Sequence, residues 1–297
     1  MSTHTVTMPY GIAANFSSIQ FFLNQYNDLL NSGDLSNELV IFDLTKTKFI
    51  SAEMVSLFGA LIEKLKLQGA LVQIDIINSK PFDVLSRNGF LKQFNMGKNK
   101  TDPYGTTIPY FSNYSQDDTA VVDFLQNHVF GNNNWPHHLL NNAGEIEVIN
   151  TAILELSRNI YEHSGSNTLY MCGQFFPQKQ RIRFMITDTG VSIPFNVEKH
   201  TSIMYKNDYD YIRWAVQRGN STKNTPASGL GLFEIANNLM HGGEFTIISR
   251  TGYWKQNSSG SIILKTLVNP LPGTSLHLEF LLNNRSPQAT SNQALFF

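Results

Sequence analysis

The most regular hydrophobic pattern of the chain lies between residues 145 and 163. Apolar residues recur there at steps of three and four, which predicts a helix with one face against a core. They are Ile146, Ile149, Ile153, Leu156 and Ile160. Beside this face, Glu155, Asn159 and His163 follow at four-residue intervals. Taken alone, this row of a carboxylate, a carboxamide and an imidazole is most simply a solvated flank.

Apolar runs alternate with helical patterns over the first hundred residues. Residues 39–44 and 71–76 are predicted as buried strands, and residues 17–31 and 52–67 as helices. Strands that alternate with helices at this spacing are typical of a small α/β domain with a partly parallel sheet. We assign this domain to residues 1–99.

The composition becomes polar after residue 97, which indicates a connector between two domains. We assign the connector, with one helix at 121–130, to residues 100–134. A second domain then covers residues 135–285, with strands predicted at 168–176 and 181–187. Residues 286–297 are predicted as a C-terminal tail.

Charge and cysteine content exclude several classes of function. The 297 residues carry a formal charge of −1, so no basic excess is present to neutralise nucleic-acid phosphates. The single cysteine, Cys172, cannot form an internal disulfide or a cysteine-based zinc site. No run reaches the roughly 18 apolar residues of a membrane-spanning helix, and no signal peptide is apparent. We therefore expect a soluble, cytoplasmic protein that binds neither nucleic acid nor membrane.

The strand predicted at 181–187 runs directly into Asp188, Thr189 and Gly190. A strand followed by Asp-Thr-Gly is also typical of aspartic proteases, in which two aspartates share a proton. The chain contains no second copy of this motif. Only a protease completed by a second subunit is compatible with that alternative.

A polar loop at residues 219–228 leads through Gly229, Leu230 and Gly231 into a helix with an apolar face. Glycines at a helix N-terminus let a ligand approach the free N–H groups, and the helix dipole favours an anion there. Flexible helix geometry and phosphate binding both fit this segment when it is considered alone.

In combination, these motifs resemble the GHKL (Bergerat-fold) ATPases, which include gyrase, histidine kinases, MutL and the anti-sigma-factor serine kinases. The resemblance rests on Glu155 and Asn159 on a helix, on the Asp-x-Gly motif after a strand, and on the glycine-bounded loop before a helix. It covers residues 135–282. It implies an α/β fold, a two-layer sandwich with a mixed, mainly antiparallel sheet, and it implies ATP and Mg²⁺ as cofactors.

The resemblance also implies a role for each position. Glu155 would activate the attacking water or hydroxyl, and Asn159 would bind Mg²⁺ against the triphosphate. Asp188 would accept a hydrogen bond from the adenine amino group, and Gly190 would leave room for the ring. The other implied ATP-binding residues are Ser221, Thr222, Lys223, Gly229, Leu230, Gly231 and Thr274.

Two features depart from the family pattern. Ser192 stands where the family has the second glycine of Asp-x-Gly-x-Gly, which predicts a tighter adenine pocket or a stiffer loop. No histidine-bearing helix pair precedes the domain, so a sensor histidine kinase is not expected. His163 fits a role beside the phosphates or a helix C-cap equally well. Trp214 and Trp254 are expected in the core or at its rim.

Residues 38–74 resemble a STAS domain, the fold of bacterial anti-sigma-factor antagonists. In that family a strand, a loop and an amphipathic helix follow in this order, and a serine of the loop accepts phosphate. Ser51, Ala52 and Glu53 occupy the corresponding loop here. Ser51 and Glu53 are therefore the candidate regulatory residues. An acidic residue that interacts with the helix dipole is the alternative for Glu53.

Together the resemblances imply a signalling protein that binds ATP and a regulatory protein partner, the latter through the STAS-like domain. A serine/threonine kinase, an ATP hydrolase or ATP-gated switch, and a binding module without turnover remain open. Glu155 favours turnover, but a kinase and a hydrolase need the same positioned triphosphate. The sequence also leaves a homodimer open.

Overall fold

The computed structural model describes residues 2–114, 118–131, 143–166, 168–222, 231–239 and 242–282. Within these ranges helices and strands are both abundant, which confirms the predicted α/β class. The strands form a three-stranded, a two-stranded and a five-stranded sheet. Among the described helices, none combines the length and apolar composition that a membrane crossing requires.

Three parallel strands form the first sheet, in the order β1 (Thr3–Thr7), β3 (Leu39–Asp43) and β5 (Leu71–Asp75). Helix α1 (Phe16–Asn31) joins the first two, and helix α2 (Met54–Leu67) joins the last two. Right-handed connections between successive parallel strands bring both helices to one face of the sheet. The remaining elements of this part are β2 (Gly11–Ile12), β4 (Phe49–Ile50), α3 (Lys80–Arg87) and α4 (Phe90–Gln93).

The large sheet was predicted to be mixed and mainly antiparallel, and it is antiparallel in every described pairing. Its strand order is β6 (Thr107–Asn113), β7 (Leu169–Phe176), β8 (Arg181–Asp188), β10 (Ile262–Leu281) and β9 (Gly243–Gln256). Successive residues of a strand point to opposite faces. In β8, Phe184 and Ile186 belong to one apolar cluster and Met185 to the other, so both faces of the sheet are covered.

Helices cover one face of this sheet. They are α5 (Asp118–Leu125), α6 (Ala143–Asn159) and α9 (Gly231–Leu239), which share an apolar cluster with the strands. Two further helices, α7 (Ile193–Thr201) and α8 (Asp208–Ala215), follow β8 and contact β9. The predicted placement of the helix at 145–163 and the helix containing Leu232 on one face agrees with this arrangement.

Part of the predicted connector forms an element of the large sheet. Strand β6 lies at the edge of the sheet and pairs with β7. The pairing shifts in register between Ile108 and Phe111, around Pro109, which has no N–H to donate. Proline is tolerated in an edge strand, because one side of such a strand has no partner strand that needs the N–H. Helix α5 packs against α6. Strand β6 therefore belongs to the large sheet and α5 to the helices that cover it, and neither is part of a free linker.

Helices α1 and α2 lie between the two sheets. Their apolar side chains share one cluster with Val40 and Phe42 of the small sheet and with Met185 and Ile248 of the large one. Every residue of α2 from position 54 to position 62 is buried. A helix that is buried all round belongs to the interior of a larger fold. The N-terminal part therefore forms the second cover of the large sheet.

Candidate functional site

The predicted apolar face of α6 is confirmed at the positions that the structure describes. Ile149, Ile153, Leu156 and Ile160 are buried, and the side chain of Ile146 lies outside the described residues. The α-helix ends at Asn159 and continues as a π-helical turn over Ile160–Ser164. Such turns are rare and often occur at functional sites.

A cavity of about 310 Å³ lies beside this junction. It is bounded by the end of α6, the end of β8, the middle of β10, helix α7, the end of α8, the loop at 220–222 and the first two residues of α9. Seven of the predicted site residues line it, although up to 119 positions separate them in the chain. They are Glu155, Asn159, Asp188, Ser221, Thr222, Gly231 and Thr274.

Asp188 is the last residue of β8 and is only 1% exposed. Its Oδ1 atom accepts a hydrogen bond from Gly190 N at 2.8 Å. Its Oδ2 atom is buried and has no hydrogen-bond partner among the described residues. Burial raises the pKa of this carboxyl to about 7, and the rise is partly opposed by the Gly190 N–H first, and then by the nearby Ser164 hydroxyl and Thr274 N–H. The Ser164 hydroxyl itself donates to Ile160 O.

Thr274 lies directly opposite Asp188, on β10. Its hydroxyl is 2.8 Å from Ser249 Oγ, which fixes its orientation. Gly273 precedes it with a φ of +105°, and an added Cβ there would collide with the backbone of Asp188. Only glycine accommodates both the positive φ and this close approach.

Gly190 is held against the π-helical turn. An added Cβ would collide with the Ser164 carbonyl, and Val191 N donates to that carbonyl at 2.6 Å. This packing gives a reason for a glycine that differs from the predicted room for a ring. Ser192 caps α7, because its hydroxyl accepts from Phe195 N at 3.3 Å. The cap constrains the loop that follows Asp188.

Glu155 meets the first turn of α9. An added Cβ at Gly231 would collide with Glu155 Oε1, so the carboxylate lies directly against the start of that helix. Three of the predicted phosphate-binding residues, Lys223, Gly229 and Leu230, lie outside the described residues, as does the side chain of His163.

The cavity also includes residues that sequence reasoning missed. Arg158 and Glu162 flank Asn159 on the same helical segment, and Arg158 pairs with Asp118 at 2.6 Å. The helical spacing that identified Asn159 could also have identified Glu162, which lies three residues later and so on the same side of the helix. Trp254 is buried in the apolar cluster, so the expected core position is confirmed for it, whereas Trp214 is half-buried and lines the cavity.

The candidate regulatory residues lie on the other face of the large sheet. Ser51 is buried, and Glu53 is completely buried between α2 and the sheet. Glu53 Oε1 is 4.0 Å from Arg183 Nη1 and 3.9 Å from His277 Nε2. Both carboxylate oxygens lack a hydrogen-bond partner among the described residues, and burial raises the pKa of this carboxyl. Neither residue is accessible to a modifying enzyme while α2 is in place.

Comparison with known proteins adds no assignment. No model of a known protein family matches the chain, and no curated protein matches it significantly. The functional interpretation therefore rests on the residues of the cavity and their geometry.

Proposed function

We propose that this protein is a Mg²⁺-dependent, ATP-binding regulatory protein. Its second part would act as a signalling ATPase or serine/threonine-kinase-like domain, coupled to a STAS-like domain that binds a protein partner. The observation that carries the proposal is the buried, unpartnered Oδ2 atom of Asp188, in a cavity that Glu155 and Asn159 also line. A buried acceptor without a donor costs free energy, which a ligand N–H group would recover.

The exocyclic amino group of adenine is such a donor. It would bind Asp188 Oδ2, because Oδ1 already accepts from the backbone. Val191, Ile193 and Leu276 line the same cavity and offer apolar surface to a planar base. Thr274 supplies a hydroxyl beside them. This end of the cavity has the mixture of apolar walls and few polar groups that small-molecule sites share.

The part of the cavity beside Gly231 suits the phosphates. Gly231 begins α9, and the free N–H groups and dipole of a helix N-terminus favour an anion. Ser221 and Thr222 line the cavity nearby. Bound Mg²⁺ would neutralise phosphate charge, and it keeps most of its ligands as water and phosphate oxygen. The single amide oxygen of Asn159 is therefore a sufficient contribution from the protein.

Glu155 is positioned for proton transfer beside the proposed phosphate-binding residues. Its carboxylate lies against the backbone of Gly231, where α9 begins. A carboxylate there can take the proton from an attacking water or from a substrate hydroxyl. The first case is hydrolysis and the second is protein phosphorylation, and both require the same arrangement of residues.

A second candidate is an ATP-gated interaction switch without protein phosphorylation. It is favoured by the direct packing of α2 on β7 and β8, because β8 ends at Asp188. A change in the nucleotide site could reach the partner-binding part through this contact.

Calorimetric titration with Mg·ATP tests the proposal. The wild-type protein should bind, and Asp188→Ala should weaken binding by about 1.5–3 kcal/mol, the value of a hydrogen bond to a charged group. Asp83→Ala is the control, because Asp83 is a half-buried carboxylate of α3 that pairs with Lys100 and does not line the cavity. Equal affinity of Asp188→Ala and wild type would refute the adenine assignment. A wild-type protein that binds no nucleotide would refute the proposal as a whole.

A further inference from the structure

Asp188 has neighbours that face the opposite side of the large sheet. Asp188 and Thr274 form a cross-strand pair, and so do the adjacent residues Thr187 and Ser275. Because successive strand residues point to opposite faces, Thr187 and Ser275 point towards α2. Their hydroxyls are 2.9 Å apart and fully buried. The wall of the cavity and the surface under α2 are thus the two faces of the same pair of strand segments, the end of β8 and the middle of β10.

Helix α2 contacts the residue on each side of Asp188 in the chain. Ser56 Oγ donates to Tyr170 O at 2.9 Å and lies 3.0 Å from Thr187 Oγ1. Lys64 Nζ donates to Thr189 O at 3.4 Å. Eight residues of helix span about 12 Å, so one rigid element holds both contacts.

The close approach of α2 depends on small residues. An added Cβ at Gly59 would collide with the Tyr110 hydroxyl of β6. Ser56, Gly59 and Ala60 are all buried in this contact region. A larger side chain at these positions would separate the helix from the sheet and remove the Ser56 hydrogen bonds.

We propose that Ser56 and Lys64 are positioning residues for the nucleotide site. They hold Thr187 and Thr189, and thereby orient Asp188 from behind the sheet. This inference rests on the proposed nucleotide binding, and it makes the N-terminal part a component of the site. By linkage, an event that displaces α2 from the large sheet weakens nucleotide binding. Bound nucleotide stabilises the packing of α2 on the sheet by the same free energy.

Substitution of Lys64 in the full-length protein tests the inference, because this side chain is only half-buried. Lys64→Ala should weaken Mg·ATP binding about two- to tenfold, the effect of one lost hydrogen bond, and Lys64→Arg should restore it. The matched control is Lys66→Ala, because Lys66 pairs with Glu63 within α2. Ser56→Ala should give a similar loss.

Hydrogen exchange without nucleotide provides an independent readout. Lys64→Ala should speed exchange at the Gly190 and Val191 amides, which donate to Asp188 Oδ1 and Ser164 O, and Lys66→Ala should not. Wild-type affinity and wild-type exchange in Lys64→Ala would overturn the inference and leave the proposed function intact. A wild-type protein without nucleotide binding would refute the proposed function, whereas the exchange result would still decide whether Lys64 orders this loop. If Ser56→Ala does not fold, Lys64→Ala alone decides.

Discussion

Asp188 and Glu53 are both sealed from solvent, but their surroundings differ. Asp188 lines a cavity from which a ligand could donate a hydrogen bond. Glu53 lies between α2 and the large sheet, and its Oε1 atom is 4.0 Å from Arg183 Nη1 and 3.9 Å from His277 Nε2, slightly beyond hydrogen-bond distance. Burial raises the pKa of both carboxyls. Ligand binding should therefore depend on the first group and folding stability on the second.

Mg·ATP binding should release a proton near pH 7. The free protein holds Asp188 half-protonated there, because its pKa is about 7. A hydrogen bond from adenine stabilises the ionised form, so binding lowers the pKa and affinity falls as the pH drops below 7. Calorimetry in buffers of different ionisation enthalpy measures the release. Asp188→Asn keeps an acceptor oxygen but should release no proton, and equal release by both proteins would contradict the assignment.

Glu53→Gln should stabilise the protein at neutral pH. A carboxyl with a raised pKa stabilises the folded state fully below its unfolded pKa, and this contribution is lost as the pH rises through the folded pKa. We therefore expect a gain of about 1–3 kcal/mol in the free energy of unfolding at pH 7.5, and a smaller gain at pH 5. Urea denaturation at both values measures it.

The control for this substitution is Glu63→Gln, on the same helix. His277 gives the opposite pH dependence of stability. Burial lowers its pKa to about 3, so its contribution to stability is lost as the pH falls below 6.5. Comparing the variant with wild type at each pH isolates Glu53. Arg183 keeps Glu279 as a partner in the variant. A loss of stability at pH 7.5 would show that the charge pair with Arg183 outweighs desolvation.

At the scale of elements, the cavity depends on the close pairing of β8 with β10. Gly273→Ala should weaken nucleotide binding, because the new Cβ would push against the backbone of Asp188. Gly33→Ala is a matched control: Gly33 also has a positive φ, but an added Cβ there meets nothing within 4 Å. Both variants should lose about 1 kcal/mol of stability from backbone strain, and Gly273→Ala should lose more because of the collision. Equal nucleotide affinity in the two variants would contradict this account, and titration of both with Mg·ATP decides it.

At the scale of the whole molecule, the fate of the terminal phosphate distinguishes the candidate functions. With labelled ATP and cell extract, label should appear on inorganic phosphate or on a protein hydroxyl. Glu155→Gln should bind nucleotide normally but lose turnover by about 10²–10⁴-fold, the usual contribution of a general base. Glu147→Gln, an exposed change on the same helix, is the control.

Normal turnover in Glu155→Gln would make Glu155 structural. Label on neither phosphate nor protein in the wild-type reaction, with binding intact, would instead favour the ATP-gated switch.

Several site residues could be predicted because each motif is local in the chain, although up to 119 positions separate the motifs. The helical period alone identified the buried face that includes Ile153 and Leu156, and Glu155 and Asn159 lie one turn apart on the same helix. Strand β6 could not be recognised in this way. Its pattern is interrupted by Pro109, and it becomes a strand only because β7 lies beside it.

The sequence by itself determined the main helices and strands of the N-terminal part, the buried face of α6 and seven of the residues that line the cavity. The buried face follows from periodicity, and the seven cavity residues follow from short motifs that resemble those of a known family. Only the tertiary structure decided that α2 lies between two sheets and that it buries Glu53. Only the tertiary structure decided, too, that α2 contacts Thr187 and Thr189, the residues before and after Asp188. An apolar helix has the same pattern whether it packs on one sheet or on two, and the partner of Ser56 lies 131 positions away.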